Sequence, residues 1–406
     1  MANQTLPPEI WLEIFEWATF NSFLTGYTPF QNIPGDSRDP SLHVKSTLSL
    51  VCRSWRECST HLFYKEIRIR HGAHALKQAL GRTIQDDRLY GSLVRRVVLP
   101  YPSTAPRHLQ SLTSIDILKL CPHIEILIRP QFLLLDGLRY DFDVEGVHMP
   151  SLRRLEWWHH NEAERTGGIN SLGAVLRNAP NLRFLFIGGV VGSSHTCIEP
   201  EPVALPMLET LRLCVISGLL TRQILSRWAL PSLINLIMDS PLVEQALHSM
   251  LETYGPQLQT VEFGKHVRFL MIDFLSPCLK RCPALKELNY YVFFTEPAET
   301  TLVHPTLETV RLHAAVNSIV SDGPSLWALL ERHFSFLGNR GALPALQRVV
   351  LCGDWRPVVI NQRFYASWKH VTGAGRVVEI SSKTGHPVVL ELGKRSCSLK
   401  GISVHL

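Results

Sequence analysis

The phrase Pro-x-Leu-x-x-Leu-x-Leu recurs along most of the chain and constrains its fold more than any single residue does. Its eight copies begin at Pro150, Pro180, Pro206, Pro231, Pro256, Pro283, Pro305 and Pro344. Two weaker copies precede them, with their first apolar residues at Val94 and Ile124. A self-similar phrase predicts stacked supersecondary units, in which each unit buries its apolar face against its neighbours.

The spacing of the phrases indicates the kind of unit. The first apolar residues of successive phrases are separated by 22 to 39 positions. The shortest separation runs from Leu285 to Leu307 and the longest from Leu307 to Leu346. Between phrases the apolar period changes from 2 to 3.6, as in the stripe that contains Leu247 and Leu251. A proline then follows, such as Pro256, which ends the helix. The pattern predicts a short strand and a helix in each unit.

This pattern resembles the leucine-rich-repeat family in its helix-containing form, over about residues 91 to 360. The resemblance implies an α/β solenoid with parallel strands inside and helices outside. We expect a linker helix over residues 66–90 and a C-terminal cap over residues 361–406. Within that cap, residues 377–380 and 388–392 alternate around Lys383-Thr384-Gly385, which predicts a hairpin.

Residues 1–65 share nothing with the repeats. Leu6-Pro7-Pro8-Glu9-Ile10 opens an apolar helical pattern, and Leu50-Val51-Cys52-Arg53-Ser54-Trp55 closes the region. Leu48, Val51, Cys52 and Trp55 have the spacing of one helical stripe. In this order the two segments resemble the F-box motif, with an insertion at about residues 23–46.

The F-box resemblance implies a small all-helical module that docks on the Skp-type adaptor of a cullin–RING (SCF-type) ubiquitin ligase. The repeats would then bind a target protein for ubiquitin-dependent degradation. The residues that would meet the adaptor or hold the module together are Leu6, Pro7, Ile10, Ile14, Leu50, Val51, Cys52 and Trp55. Physical reasoning alone says that so apolar a helix pair needs a partner or the first repeat against it.

A target would bind the side of the strands that faces away from the helices. Because side chains alternate along a strand, the residues between the phrase leucines are expected on an exposed sheet face. Aromatic residues and arginines are enriched at binding hot spots. The candidate target-binding residues are Trp158, Phe184, Phe186, Arg212, Tyr291 and Arg311.

Composition narrows the function classes. The net charge of +6 is too small to indicate nucleic-acid binding, and the nine cysteines form no CxxC pair, which favours a reducing compartment, cytoplasm or nucleus. No long apolar run predicts a membrane span.

Cys278 and Cys282 could ligate a metal, but two packed thiols are the simpler interpretation. No catalytic motif, metal site or cofactor loop is recognised, so we expect a non-catalytic subunit without a cofactor.

Two alternatives stay open. The first is a leucine-rich-repeat scaffold or interaction protein with no ligase role, whose N-terminal helices only cap the array. The second is an enzyme built on a repeat scaffold, with catalytic residues contributed by distant repeats.

Overall fold

A computed structural model describes residues 6–19, 26–34, 42–69, 73–84, 88–99, 114–131, 146–159, 168–189, 202–240, 244–264, 273–299, 301–314, 324–355, 358, 369–381, 387–392, 397–399 and 402–403. The chain forms two compact units. Unit 1 comprises residues 1–28, 32–208 and 226–231, and unit 2 comprises residues 29–31, 209–225 and 232–406.

After an N-terminal group of helices, several of the described strands are separated by a helix, whereas the strands Glu287–Tyr291 and Thr309–His313 are joined without a described helix. The helices are α1 (Pro8–Ala18), α2 (Leu42–Val51), α3 (Arg53–Lys65), α4 (Ala73–Leu80), α5 (Ser114–Leu118), α6 (Leu172–Arg177), α7 (Gly218–Arg227), α8 (Glu244–Tyr254), α9 (Leu275–Arg281) and α10 (Pro324–Gly338). The first nine strands are β1 (Glu66–Arg68), β2 (Arg96–Val98), β3 (Ile126–Arg129), β4 (Arg154–Trp158), β5 (Phe184–Gly188), β6 (Val203–Ala204), β7 (Thr210–Cys214), β8 (Trp228–Ala229) and β9 (Asn235–Met238). The remaining strands are β10 (Thr260–Phe263), β11 (Glu287–Tyr291), β12 (Thr309–His313), β13 (Arg348–Cys352), β14 (Val377–Ser381), β15 (Pro387–Leu392), β16 (Cys397–Leu399) and β17 (Ile402–Ser403).

In unit 1, strands β1 to β5 pair with one another in sequence order, and every pair is parallel. The short strands β6 and β8 form a separate parallel pair. The ladder starts at β1, where Glu66 lies opposite Arg96, within the range in which the sequence predicts only a linker helix. That range also holds the short helix α4.

In unit 2, β7 pairs with β9, and β9 to β14 then pair in sequence order, all in parallel. The direction changes at β15, which pairs antiparallel with β14 so that Glu379 lies opposite Val389. The intervening Lys383-Thr384-Gly385 lies outside the described residues. Strands β16 and β17 continue the antiparallel pairing. The α/β architecture with a long parallel ladder is therefore present in the structure.

The phrase leucines fill the space beneath the strands. The first apolar residue of each of seven phrases is fully buried, at Leu152, Leu182, Leu208, Leu233, Leu258, Leu285 and Leu307. The strands pair in phrase register, since Leu155 lies opposite Leu185 and Val261 lies opposite Leu288. Burying each leucine side chain contributes about 1.5–3 kcal/mol. The repeated phrase thus fixes both the register and the buried side of the strands.

The N-terminal helices differ from the predicted helical stripe. Cys52 has an extended backbone (φ −161°, ψ 172°) and separates α2 from α3, so Leu48 and Trp55 do not lie on one helix. The Cys52 Sγ accepts a hydrogen bond from the Trp55 amide at 3.5 Å and so caps α3. The single-stripe prediction was wrong because a side chain that can cap a helix outweighed the apolar spacing.

Helix α10 carries a fully buried histidine on its apolar face in unit 2. His333 Nε2–H donates to the Thr295 carbonyl at 3.0 Å, and its Nδ1 accepts from the Tyr290 hydroxyl at 3.2 Å. Burial lowers the pKa of His333 from 6.5 to about 4, although the hydrogen bond to Thr295 acts in the opposite direction. The imidazole is therefore neutral wherever the fold is intact above that pH.

The depressed pKa of His333 predicts acid destabilisation. Between pH 6.5 and about 4 the unfolded chain binds a proton at this residue that the folded chain does not, so the free energy of unfolding falls as pH is lowered. The loss attributable to His333 is up to about 3 kcal/mol, from about 1.4 kcal/mol per pKa unit. Urea unfolding of wild type and His333→Gln at pH 7.5 and pH 5 measures it.

Glutamine can keep both hydrogen bonds but cannot titrate, so His333→Gln should lose less stability on acidification than wild type. The pKa of His304 is also lowered by burial, and that contribution remains in both proteins. Equal pH dependence in the two proteins would contradict the assignment to His333.

Candidate functional site

Three aromatic rings hold the N-terminal helices of unit 1 together. Trp11 and Phe15 of α1 both contact Trp55 of α3, with ring centroids 4.7 Å and 4.8 Å apart. Phe15 is fully buried at this contact. Arg56 Nε donates to the Ser49 carbonyl at 3.1 Å, which satisfies an acceptor near the end of α2. Both α1 and α2 therefore pack on α3.

The opposite sides of these helices expose large apolar side chains. Ile10 and Ile14 lie one turn apart on α1 and are each 42% exposed, and Leu50 at the end of α2 is 74% exposed. Leu6 and Val51 are also exposed. We call Leu6, Ile10, Ile14, Leu50 and Val51 the apolar module surface. A helix face that stays this apolar in water is typical of a protein-interaction site.

The structure separates the eight predicted adaptor residues by environment. Pro7 and Cys52 are exposed and follow Leu6 and Val51 in the sequence, whereas Trp55 is half-buried among the aromatic rings. Trp55 therefore holds the module together. Trp17, which is 75% exposed on α1, is not among the predicted adaptor residues. Its position, seven residues after Ile10, was the signal that could have placed it on the same helix face.

The outer face of the unit 1 strands is covered. Trp158, Phe184 and Phe186 are buried, and the Trp158 and Phe186 rings meet edge to face with centroids 5.3 Å apart. The Arg154 guanidinium lies 3.8 Å from the Phe184 ring centroid, a cation–π contact. Gly188 allows the close approach of the Trp158 ring, which a Cβ at that position would meet at 2.4 Å.

Backbone carbonyls of Gly26 and Pro34, within the predicted insertion, contribute to this cover in unit 1. Trp158 Nε1–H donates to the Pro34 carbonyl at 2.8 Å. Arg154 Nη1 donates to the Gly26 carbonyl at 3.2 Å. The insertion therefore contacts the strand face that the sequence predicts as a target-binding surface.

In unit 2, charged residues line the outer face of neighbouring strands. Arg212 binds Asp239 through two hydrogen bonds, Nε to Oδ2 at 2.5 Å and Nη2 to Oδ1 at 2.9 Å. Arg212 is 3% exposed and Asp239 is 2% exposed. Glu262 lies in the same transverse row as Arg212, two strands along. Buried charges of this kind are tolerated only when they are paired and hydrogen-bonded.

Residues 29–31, which belong to unit 2, lie against this charged row. The Phe30 amide donates to Glu262 Oε2 at 3.0 Å, and Arg212 Nη2 donates to the Gln31 carbonyl at 2.7 Å. The Phe30 ring meets Tyr291 and His313 edge to face, with centroids 5.3 Å and 5.2 Å away. Tyr291 and His313 stack on each other at 4.4 Å. Four groups of the strand face thus contact one short segment.

These contacts correct the predicted exposure of the candidate target-binding residues. Trp158, Phe184, Phe186, Arg212 and Tyr291 are buried, and only Arg311 of the six is half-exposed. The expectation of an exposed face was wrong because alternation fixes which side of the strand a residue occupies but not what covers that side. Whether these residues bind a target stays a prediction.

Burial and neighbouring charges determine the protonation states of the ionisable groups on the unit 2 strand face. Burial alone would lower the pKa of Arg212, but the hydrogen bond and negative charge of Asp239, together with Glu262, raise it above the usual value. Burial, and then the charge of Glu262, raise the pKa of Tyr291, which keeps the phenol neutral. Burial also raises the pKa of the Cys352 thiol to about 11, so this group is a poor nucleophile.

Other candidate sites have less structural support. Cys278 and Cys282 are buried next to each other, and the pKa of Cys278 is raised by a hydrogen bond with Cys282 and by burial. Within the described ranges, no group of three or more His, Cys, Asp or Glu side chains could hold a metal ion. Among the same residues, no helix has the length and apolar character needed to cross a membrane.

Unit 1 also contains an open polar cavity of about 390 Å³ beside the strand starts. Arg95, Arg153 and Arg183 line it together with Glu125, and Arg95 pairs with Glu125 at 3.4 Å. The carboxylate offsets part of the positive charge. No buried nucleophile or general base among the described lining residues indicates a reaction there.

No protein-family model matches this sequence, and a search of curated proteins finds no match. The two strand faces and the apolar module surface are therefore the features that bear on function.

The Arg212–Asp239 pair gives a stability prediction. Arg212→Ala leaves the Asp239 carboxylate buried without its guanidinium, so unit 2 should lose about 3–5 kcal/mol of unfolding free energy. Arg311→Ala is the matched control, since Arg311 pairs with Glu287 at 2.9 Å in the same row but both side chains are partly exposed. The control should lose about 1 kcal/mol or less.

Urea unfolding at pH 7.5, followed by circular dichroism, compares the two variants. Equal losses of stability in the two variants would contradict the prediction that the Arg212–Asp239 pair is more strongly desolvated than the Arg311–Glu287 pair.

Proposed function

We propose that this chain is the substrate-recognition subunit of a cullin–RING (SCF-type) ubiquitin ligase. In this role α1, α2 and α3 dock on a Skp-type adaptor, and the parallel strands with their helices bind a target protein. The chain itself forms and breaks no bonds. It brings the target close to the catalytic components, which raises the effective concentration of the reacting groups.

The exposed apolar module surface is the observation that carries the proposal. Leu50, Val51, Ile10 and Ile14 leave apolar area in water, although Phe15 and Trp55 beside them are packed. Burying a leucine of this kind against a partner yields about 1.5–3 kcal/mol. These residues belong to the two segments that resemble the F-box motif, and the adaptor is the partner which that resemblance implies.

The repeat part of the chain supports a binding role in the same proposal. Parallel strands in phrase register place polar and aromatic side chains in transverse rows, as in the row from Arg212 through Glu262 to Arg311. Rows of this kind, fixed on rigid strands, are suited to recognising another protein chain. The cytoplasm or nucleus, where such ligases operate, stays the expected location.

The alternative function is a leucine-rich-repeat scaffold or interaction protein with no ligase role. It uses the same strand faces but requires no adaptor, and the apolar module surface would contact some other protein. Binding of a purified Skp-type adaptor separates the two functions.

Leu50→Asp should weaken adaptor binding at least tenfold. The substitution removes about 1.5–3 kcal/mol of apolar burial and places a charge in a dry interface, and about 1.4 kcal/mol corresponds to a factor of ten in affinity. Val303→Asp is the matched control, because Val303 is 64% exposed on unit 2. Biolayer interferometry with immobilised adaptor measures both variants and wild type.

Both side chains are exposed, so neither variant should change the melting temperature by more than a few degrees. Leu6→Ala combined with Pro7→Ala extends the test to the start of α1 and should also weaken adaptor binding. If wild type does not bind the adaptor, the scaffold function stands. If Leu50→Asp and Val303→Asp bind equally well, adaptor docking uses another surface.

A further inference from the structure

Residues 29–31 have an unusual backbone for a segment that contains a bulky side chain. Phe30 has a φ of 54°, in the left-handed region that glycine and asparagine favour. A phenylalanine there is strained, and such strain persists only where surrounding contacts outweigh it. The contacts that hold Phe30 are its ring packing and its amide hydrogen bond to Glu262. The segment is therefore held by the strand face against a local preference for another conformation.

The groups that the strand face offers to this segment are mostly independent of sequence. Glu262 accepts a backbone N–H, and Arg212 donates to a backbone carbonyl one residue later. Every non-proline residue of any peptide supplies these two groups. The part of the site that selects a side chain is the stacked pair of Tyr291 and His313, which receives the edge of an aromatic ring.

Next to the stacked pair, the strand face carries a glycine in place of a side chain. In the row that contains Tyr291 and His313, the residue after β10 is Gly264, which has no side chain. A Cβ at Gly264 would meet Asp239 Oδ1 at 2.4 Å, so the position accepts no larger residue without movement. Gly264 therefore makes room for the Asp239 carboxylate that pairs with Arg212.

We propose that the site formed by Arg212, Glu262, Tyr291 and His313 recognises a peptide segment of the target that presents an aromatic residue, and that residues 29–31 occupy this site until the target displaces them. The inference rests on the proposed function, since it names the class of ligand that the substrate-recognition subunit binds. The segment thus acts as an internal competitor of the target.

The strength of this competition follows from the same contacts. Phe30 is only half-buried, and its strained φ lowers the net affinity of the segment for the site. A target peptide that places an aromatic ring on Tyr291 and His313 competes with the segment for this stacked pair, and each further contact that it makes outside the segment favours displacement.

A labelled peptide with the sequence of residues 26–34 tests the site in the full-length chain. Fluorescence anisotropy measures its binding to wild type, to Phe30→Ala and to the double variant Phe30→Ala, His313→Ala. Phe30→Ala should bind the peptide at least tenfold more tightly than wild type, because the internal ring no longer competes. The double variant should lose that binding, since the ring of the ligand has lost half of its stacked platform.

A second peptide, identical except that its phenylalanine is alanine, tests selectivity and should bind none of the proteins measurably. Thermal unfolding checks that each variant is folded. Phe30→Leu is the reserve variant if Phe30→Ala is not folded, and it should give the same order of affinities with a smaller ratio. Three outcomes overturn the inference. The first peptide binds wild type and Phe30→Ala equally, the two peptides bind alike, or the first peptide binds neither Phe30→Ala nor Phe30→Leu although the variant is folded.

Adaptor binding measured on the same samples separates the two proposals. A Phe30→Ala chain that binds the adaptor but not the peptide overturns the inference and leaves the proposed function intact. A wild-type chain that fails to bind the adaptor, while Phe30→Ala binds the peptide, refutes the ligase role and leaves the aromatic-peptide site in place.

Discussion

The burial of the phrase leucines is the constraint on which the other features depend. Leu182 in unit 1 and Leu258 in unit 2 are fully buried, and the parallel pairs keep equivalent phrase positions opposite each other. A shift of one residue would move each leucine to the opposite face, so the register is strongly determined. Once this side is fixed, residues such as Phe186 and Arg212 must lie on the other side. The candidate target-binding face is thus a consequence of core packing.

The outer face of the unit 2 strands contains buried charges, whose desolvation costs free energy. Arg212, Asp239 and Glu262 are almost completely removed from water, and each desolvated charge requires hydrogen-bond partners. Asp239 satisfies Arg212 on one side, and the backbone of residues 30–31 supplies the carbonyl and amide for Arg212 and Glu262. The charged row and the segment are therefore coupled, because the segment contributes partners that bulk water would otherwise supply.

The sequence predicted helices and strands that follow from local or periodic patterns, but it did not predict contacts between segments that are distant in the chain. Repeat spacing located strands such as β9 and the buried stripe of α8 that contains Leu247 and Leu251, and the apolar pattern that opens at Leu6 located α1. The break at Cys52 was missed because a thiol cap leaves no mark on apolar periodicity. The cover over the strands was missed because the Phe30–Glu262 and Arg212–Gln31 contacts join residues 232 and 181 positions apart. Nothing in the residues near Phe30 indicates its partner, and a phenylalanine does not signal a left-handed backbone.

The two apolar regions of the chain differ in what covers them, and the difference fits the two roles proposed for them. The Phe30 ring on Tyr291 and His313 is covered by an intrachain contact that includes backbone strain, which is the arrangement expected of an occupant that can leave. The apolar module surface, with Leu50 at 74% exposure, has no such cover among the described residues, which is typical of a protein-interaction site. In the proposed function, a target that arrives and departs benefits from an internal competitor, because the charged row beneath it would otherwise be exposed each time the target left.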